Sequence, residues 1–294
     1  MDLSNLITQL FAALTRGSIF FLLASGLTLV FGITKVINFA HGSFYALSMY
    51  ITYSLTQEIL LRSLFPPWLN VILALISVVA LGALLEVILL RRLYKEEHLM
   101  QLLLTFALVY ILSDSMKLMW GTIPKSVSPP DFFAGNIEVA GGIVTLYNLF
   151  VIASGIGIGI GVWAILQGTR FGIVARAAAS DAETTRSLGI NVNSVYTGVF
   201  SLGIFLAAVA GTLNLPLSSA ALGIDVDMTI LAFVIVIIGG VGSVGGAAIA
   251  ALIVGLVETL GIMYIPRLTI ALIYIIMVVM LIVRPFGILG RAIR

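Results

Sequence analysis

The feature that most constrains this chain is a succession of apolar runs, each about as long as a bilayer is thick, separated by short polar breaks. A helical span needs roughly 20 predominantly apolar residues. Such runs fall at 17–34, 36–56, 71–90, 99–119, 147–167, 194–215, 228–238, 246–265 and 268–283. Inside hydrocarbon each backbone N–H and C=O must be satisfied within its own segment, so runs of this kind fold as helices. The expected fold is all-α: a polytopic integral membrane protein with about 8–10 transmembrane helices, broken or re-entrant segments among them. Residues 1–294 read as a single transmembrane domain. The seventh run is short and passes into a glycine cluster. Ahead of the first, Leu3, Leu6, Ile7, Leu10, Phe11 and Leu14 recur at helical spacing with no basic region before them. That segment reads as an interfacial helix or the outer end of the first span, not as a cleavable leader.

Composition excludes several function classes. The chain is 61% hydrophobic and 10% charged, against roughly 25% charged residues in soluble domains. With no cysteine and only two histidines, a disulfide framework, a thiolate nucleophile and a cysteine-containing metal site are ruled out. No basic block with interleaved aromatics is present, so no nucleic-acid partner is expected. The phosphate-binding pattern G-x-x-x-x-G-K-[ST] does not occur, so ATP hydrolysis, if used, belongs to a partner. Neither G-x-S-x-G nor H-E-x-x-H is found, and the Asp225/Asp227 pair reads as an external loop turn. No catalytic residue, bound cofactor or metal is expected.

Lys and Arg in short loops set the orientation. Arg91, Arg92 and Lys95 follow the third run, Arg170, Arg176 and Arg186 the fifth, and Arg284, Arg291 and Arg294 the last; Lys35 lies between the first two. Counting spans puts all of these on one side, the cytoplasmic one. The C-terminus is then cytoplasmic and the N-terminus external. The loops at 58–70, 121–146 and 216–227 fall outside.

The polar stretch 168–193, GTRFGIVARAAASDAETTRSLGINVN, lies on the cytoplasmic side. A segment this polar must meet water or a soluble partner. Its small residues, from Ala175 to Ala182, favour a short helix that a partner could push. The plain alternative is a solvated turn.

Inside the apolar runs, Asn38, His41, Gly42 and Ser43 bring polar groups into two helical turns. A polar side chain in lipid needs a protein or water partner. These residues therefore line a pathway or satisfy a broken backbone. Gly239, Gly240, Gly242 and Ser243 belong to IIGGVGSVGGAAIA. That cluster allows either tight helix packing or a broken segment at the pathway. A dinucleotide fingerprint does not fit, because membrane spans flank it. Among the acids, Glu86 pairs naturally with Arg91, and Asp114 with Lys117 at i, i+3. Glu258 has no nearby partner in sequence. It is either a functional ionisable group or paired with another span.

Five segments together carry a family resemblance: GLTLVFGITKVINFAHGSFYALSMY (26–50), RAAASDAETTRSLGINV (176–192), LAAVAGTL (206–213), AFVIVIIGGVGSVGGAAIAALIVGLVE (232–258) and RPFGILGR (284–291). In order and spacing they resemble permease subunits of branched-chain amino acid ABC importers of the high-affinity Liv type, nearer the H than the M subunit. The resemblance implies the permease fold shared by branched-chain amino acid and ribose importers, in a bacterial inner membrane. It implies a second permease subunit of the M type in a heterodimer, two cytoplasmic ATP-binding subunits that use ATP and Mg, and a periplasmic substrate-binding protein. Leucine, isoleucine and valine are the default cargo, with urea or short amides as the related option. Coupling to the ATPases then falls on Arg176, Ala178, Ala179, Asp181, Glu183, Arg186 and Gly189. The usual Glu-Ala-Ala of such loops is only loosely represented. The pathway falls on Asn38, His41, Gly42, Ser43, Gly239, Gly240, Gly242, Ser243 and Glu258. The residues by themselves also allow an ion-coupled secondary carrier centred on Glu258, or a membrane scaffold that transports nothing.

Overall fold

The structure is a computed structural model that describes residues 3–57, 66–94 and 96–290. Lys95, Arg291 and Arg294, which entered the charge reading, lie outside those residues. Eleven α-helices form among the described residues. They are α1 (Leu3–Thr34), α2 (His41–Gln57), α3 (Pro67–Ile88), α4 (His98–Trp120), α5 (Leu146–Gly168), α6 (Arg170–Ser180), α7 (Ala182–Ser187), α8 (Val192–Asn214), α9 (Ile224–Gly239), α10 (Val244–Tyr264) and α11 (Thr269–Val283). Strands β1 (Asn136–Val139) and β2 (Gly142–Thr145) add one antiparallel hairpin. Seven stretches are long and apolar enough to cross a membrane: α1, α3 with the turn after it, α4, α5, α8, α10 and α11 with the turn before it.

α1 is the axis of the bundle, 32 residues long or about 48 Å. It absorbs the N-terminal segment, so Leu6 and Leu10 continue the first span rather than forming a separate interfacial helix. α1 packs on α8 and α10 where side chains nearly vanish. A Cβ on Gly26 would lie 2.5 Å from the Gly203 carbonyl oxygen, and one on Gly255 would lie 2.7 Å from the Gly17 nitrogen. Lipid tails are as apolar as the helices, so close backbone approach, not hydrophobic transfer, holds such crossings together. α3, α4, α5 and α11 form the outer layer, with apolar residues such as Leu84, Ile111, Ile160 and Ile282 exposed.

The hairpin lies at the start of α1, where Gly142 rests on the Ser4 carbonyl; this end is termed the hairpin side. The other end, the Lys35 side, holds α6, α7, the turn at 90–94 and the α9–α10 turn. A second, smaller apolar cluster there joins Ile33 of α1, Ala175 and Ala178 of α6, and Val192, Val195, Tyr196 and Val199 of α8.

The second and seventh runs depart from the sequence reading. α2 does not begin at Val36. Lys35 takes a left-handed backbone, φ 61°, residues 35–40 lack helix, and α2 starts at His41 with 17 residues. α9 starts at Ile224, earlier than expected, and has 16. Asp225 and Asp227 are therefore in its first turn, not in an external loop, and Asp225 is buried.

Candidate functional site

α2 and α9 are both short because both begin inside the bundle. His41 Nε2 lies 3.0 Å from the carbonyl oxygen of Leu23. Leu23 is 11 residues before the end of α1, so the contact is about 16 Å in from the Lys35 side. The start of α9 meets the start of α2 there. Gly42 N–H donates to Thr229 Oγ1 at 3.1 Å. That hydroxyl lies 2.7 Å from the Asp225 carbonyl and 3.1 Å from the Phe39 carbonyl, and can donate to either. A Cβ on Gly42 would lie 2.2 Å from the Asp225 carbonyl oxygen, so only glycine permits the approach. From this junction α2 runs to the hairpin side and α9 to the Lys35 side. Each has a non-helical lead-in, 35–40 and 215–223; Val36, Asn38 and Ala40 of the first and Leu215 and Ala220 of the second are buried in protein, where broken backbone is tolerated.

Polar atoms gather at the junction. Asn38, His41 and Ser43 have no solvent exposure and Asp225 has 1%. Asn38 Oδ1 accepts the Ala40 N–H at 3.1 Å. Asn38 Nδ2, His41 Nδ1, Ser43 Oγ and Asp225 Oδ2 have no hydrogen-bond partner. Leaving a buried polar group unpaired costs about 1–3 kcal/mol, so four in one region of a membrane bundle mark a place where packing alone does not set the residue types. Sequence reasoning found Asn38, His41, Gly42 and Ser43. It missed Thr229 and misplaced Asp225, because the contact joins residues far apart in the chain.

The glycine cluster has a different position. Gly239 closes α9, Gly240 and Gly242 take φ values of 100° and 78°, and Ser243 caps α10 by accepting the Gly246 N–H at 3.0 Å. The turn sits at the Lys35 side, not at mid-depth. A Cβ on Gly246 would lie 2.0 Å from the Gly239 oxygen. The segment after α11 lies across it, with Ile288 N–H donating to the Ile238 carbonyl at 2.9 Å and Leu289 N–H to that of Gly239 at 3.0 Å. The cluster packs a helix end; it does not break a span.

Glu258 is paired. Arg16 Nη1 of α1 donates to its Oε1 at 2.8 Å, a partner 242 positions away in sequence. Among the described residues the other ion pair is Arg91–Glu86, at 3.6 Å, and the expected Asp114–Lys117 pair does not form. Glu86, two residues before the end of α3, has no exposed side-chain surface. The Tyr94 hydroxyl donates to Oε1 at 2.7 Å and the Thr197 hydroxyl to Oε2 at 2.6 Å. Arg91 Nη2 donates to Thr197 Oγ1 at 2.6 Å.

The stretch 168–193 forms two helices, not one. Thr169 caps α6 by accepting the Gly172 N–H at 3.3 Å. Asp181 separates the helices and caps α7, accepting from Glu183 N at 3.0 Å, Thr184 N at 2.9 Å and Thr184 Oγ1 at 2.5 Å. These bonds hold its carboxyl below the ordinary carboxylate value. Gly189 follows α7 with φ 83°, the left-handed C-terminal position that favours glycine. Three of the small residues of α6 turn inward, Ala175 and Ala178 buried against α8 and Ala179 half-buried, while Ala177 and Ser180 are exposed. The inward three seat the helix on its own chain. Arg176 turns back to donate to the Leu166 carbonyl. The outward surface is Ile173, Asp181, Glu183, Arg186, Leu188 and Gly189, with Ile173 58% and Leu188 76% exposed.

The sequence profile of one protein family, described as branched-chain amino acid transport system / permease component, matches residues 9–282. The chain belongs to that family. It is 29% identical to the high-affinity branched-chain amino acid transport system permease protein LivH of Salmonella typhimurium, over 96% of this chain and 95% of that protein. It is 28% identical to BraD of Pseudomonas aeruginosa, a permease protein of the same description, over 99% and 97%. A probable branched-chain amino acid transport permease protein LivH of Methanocaldococcus jannaschii is 30% identical over 95% and 90%. No solved structure matches the chain with significance. The chain is thus a multi-span membrane permease of the ABC importer class.

Proposed function

We propose that this permease moves branched-chain amino acids inward across a bacterial inner membrane, beside a second permease subunit of the M type. Two cytoplasmic ATP-binding subunits drive it, and a periplasmic binding protein delivers leucine, isoleucine or valine. The observation that carries this reading is family membership across residues 9–282, with relatives named for branched-chain amino acids. The Lys35 side is the cytoplasmic face, since Lys35, Arg91, Arg92, Arg170, Arg176, Arg186 and Arg284 gather there. On that face α6 and α7 are the ATPase contact. Ile173 and Leu188, two aliphatic side chains exposed among charges, fit into a partner rather than water. The nucleotide and its Mg belong to the ATP-binding subunits, with no cofactor bound by this chain.

Asn38, His41, Gly42 and Ser43, joined by Thr229 and Asp225, border the pathway at the α2–α9 junction. Discontinuous helices whose ends meet near mid-depth are how transporters present polar groups to a solute. Gly239, Gly240, Gly242 and Ser243 keep the cytoplasmic end closed-packed. Glu258, neutralised by Arg16, is a structural ion pair. The test is mild-detergent purification of the tagged chain from native membranes, with companions identified by mass spectrometry. Two P-loop ATPase chains and a second permease are expected. Recovery of the chain alone, under conditions that hold known complexes together, contradicts the reading.

A further inference from the structure

The cluster around Glu86 ties the seat of α6 to two spanning helices. Glu86 belongs to the end of α3, Tyr94 and Arg91 to the turn after it, and Thr197 to the second turn of α8. Both carboxylate oxygens are met by a hydroxyl donor at 2.7 Å or less. A buried charge cluster is weak evidence for stability, since apolar residues of similar shape often serve as well. What such a cluster does supply is one defined relative position for the parts it joins. Here those parts lead in two directions. The Tyr94 ring meets Tyr196 edge-on, centroids 5.1 Å apart, and both rings pack on the cluster that holds Ala175 and Ala178 of α6. From Thr197, α8 continues to Gly203, against Gly26 of α1, and to Gly211, whose Cβ would lie 2.2 Å from the Tyr45 carbonyl of α2. α8 therefore runs from under α6 to the helix that starts at the polar junction.

We infer that the Glu86 cluster is the joint through which movement of α6 reaches α8 and α3, with Glu86, Tyr94 and Thr197 as positioning residues for transport. The inference rests on α6 and α7 being the ATPase contact. Arg91 completes the joint by donating to the Thr197 hydroxyl oxygen, whose own proton has Glu86 Oε2 at 2.6 Å as its nearer acceptor and the Asn193 carbonyl at 3.0 Å as the other. A rigid-body shift of α6 under ATP-driven closure is passed on only while the three elements stay locked.

The test uses the whole complex, with its second permease, ATPases and binding protein, in proteoliposomes supplied with leucine. Tyr94→Phe removes one hydroxyl donor and keeps the ring. Thr197→Val removes the other and keeps the shape. The readout is leucine moved per ATP hydrolysed, with assembly measured in parallel. Each variant should assemble and move about threefold less leucine per ATP, or lower still. An unchanged ratio in both overturns the inference. So does a loss of transport and hydrolysis in step with lost assembly, which marks a purely structural cluster. Cross-linking of Leu188→Cys separates the two layers of argument. If it cross-links to an ATPase while the ratio is unchanged, the joint alone is wrong. If it cross-links to no ATPase, the contact reading fails and the joint with it.

Discussion

His41 Nε2 lies 3.0 Å from the carbonyl oxygen of Leu23, so the first residue of α2 is pinned to the middle of α1. The bond fixes where α2 begins, and hence where the polar junction lies. His41→Leu removes the bond and the unpartnered Nδ1 together. Interhelical hydrogen bonds in membranes contribute about 1–2 kcal/mol at most, too little to unfold the bundle. Leucine uptake should fall roughly five- to thirtyfold, the span of such an energy, while the assembled complex is recovered at normal yield. Normal uptake by the variant would remove His41 from the pathway.

Gly42 tests the junction by sterics. Gly42→Ala sets a methyl group 2.2 Å from the Asp225 carbonyl oxygen and 2.7 Å from the Thr229 nitrogen, both backbone atoms that cannot swing aside. Overpacking of this kind costs about 1–3 kcal/mol or more. Gly157 of α5 is the control, because nothing lies within 4 Å of a Cβ there. Gly157→Ala should be neutral or gain up to about 1 kcal/mol from helix propensity. Thermal unfolding of the two variants in detergent compares them directly.

Glu258→Gln bears on the driving force. With Arg16 beside the carboxylate at 2.8 Å, the ABC reading needs no proton exchange at this residue. ATP-dependent uptake should persist, because the glutamine carbonyl keeps the side-chain shape and still accepts from Arg16. Loss of all uptake, with normal assembly, would return the ion-coupled carrier to consideration.

Asp181 gives a pH prediction. Its folded pKa is depressed by the hydrogen bonds from Thr184 and Glu183. A depressed carboxyl contributes above its unfolded value and is lost only as pH falls through the folded one. The cap on α7 should therefore be unchanged from about pH 5 to 8 and weaken only below the ordinary carboxylate range. The protection of the Glu183 and Thr184 amides, their exchange rates divided by the intrinsic rates at each pH, should be flat over that window. In Asp181→Ala exchange should be faster throughout, and equal rates in the variant and the parent chain would contradict the cap.

The spanning helices were legible in the sequence because length and hydropathy are local properties. Most of the boundaries for α3, α4, α5, α8, α10 and α11 fall within a few residues of the apolar runs. Hydropathy could not place the start of α2, since Val36, Ile37, Phe39 and Ala40 are as apolar in an extended lead-in as in a helix. The two-helix form of 168–193 was also partly hidden. Its small residues pointed to a short helix, but not to the Asp181 break or to which face turns inward. The site itself divides by sequence distance. Asn38, His41, Gly42 and Ser43 are neighbours and stood out as polar groups in an apolar run. Thr229, Asp225, the Arg16–Glu258 pair and the Thr197–Glu86 bond join residues more than 100 positions apart, and no local pattern encodes them.

Uptake into proteoliposomes holding this chain with its second permease and ATPases tests the central claim most directly. Labelled leucine, the binding protein and ATP are supplied, with and without an ionophore that collapses proton and sodium gradients. ABC-type import predicts accumulation that requires ATP and the binding protein and is indifferent to the ionophore. Accumulation by this chain without the ATPases, abolished when the gradients collapse, would contradict it.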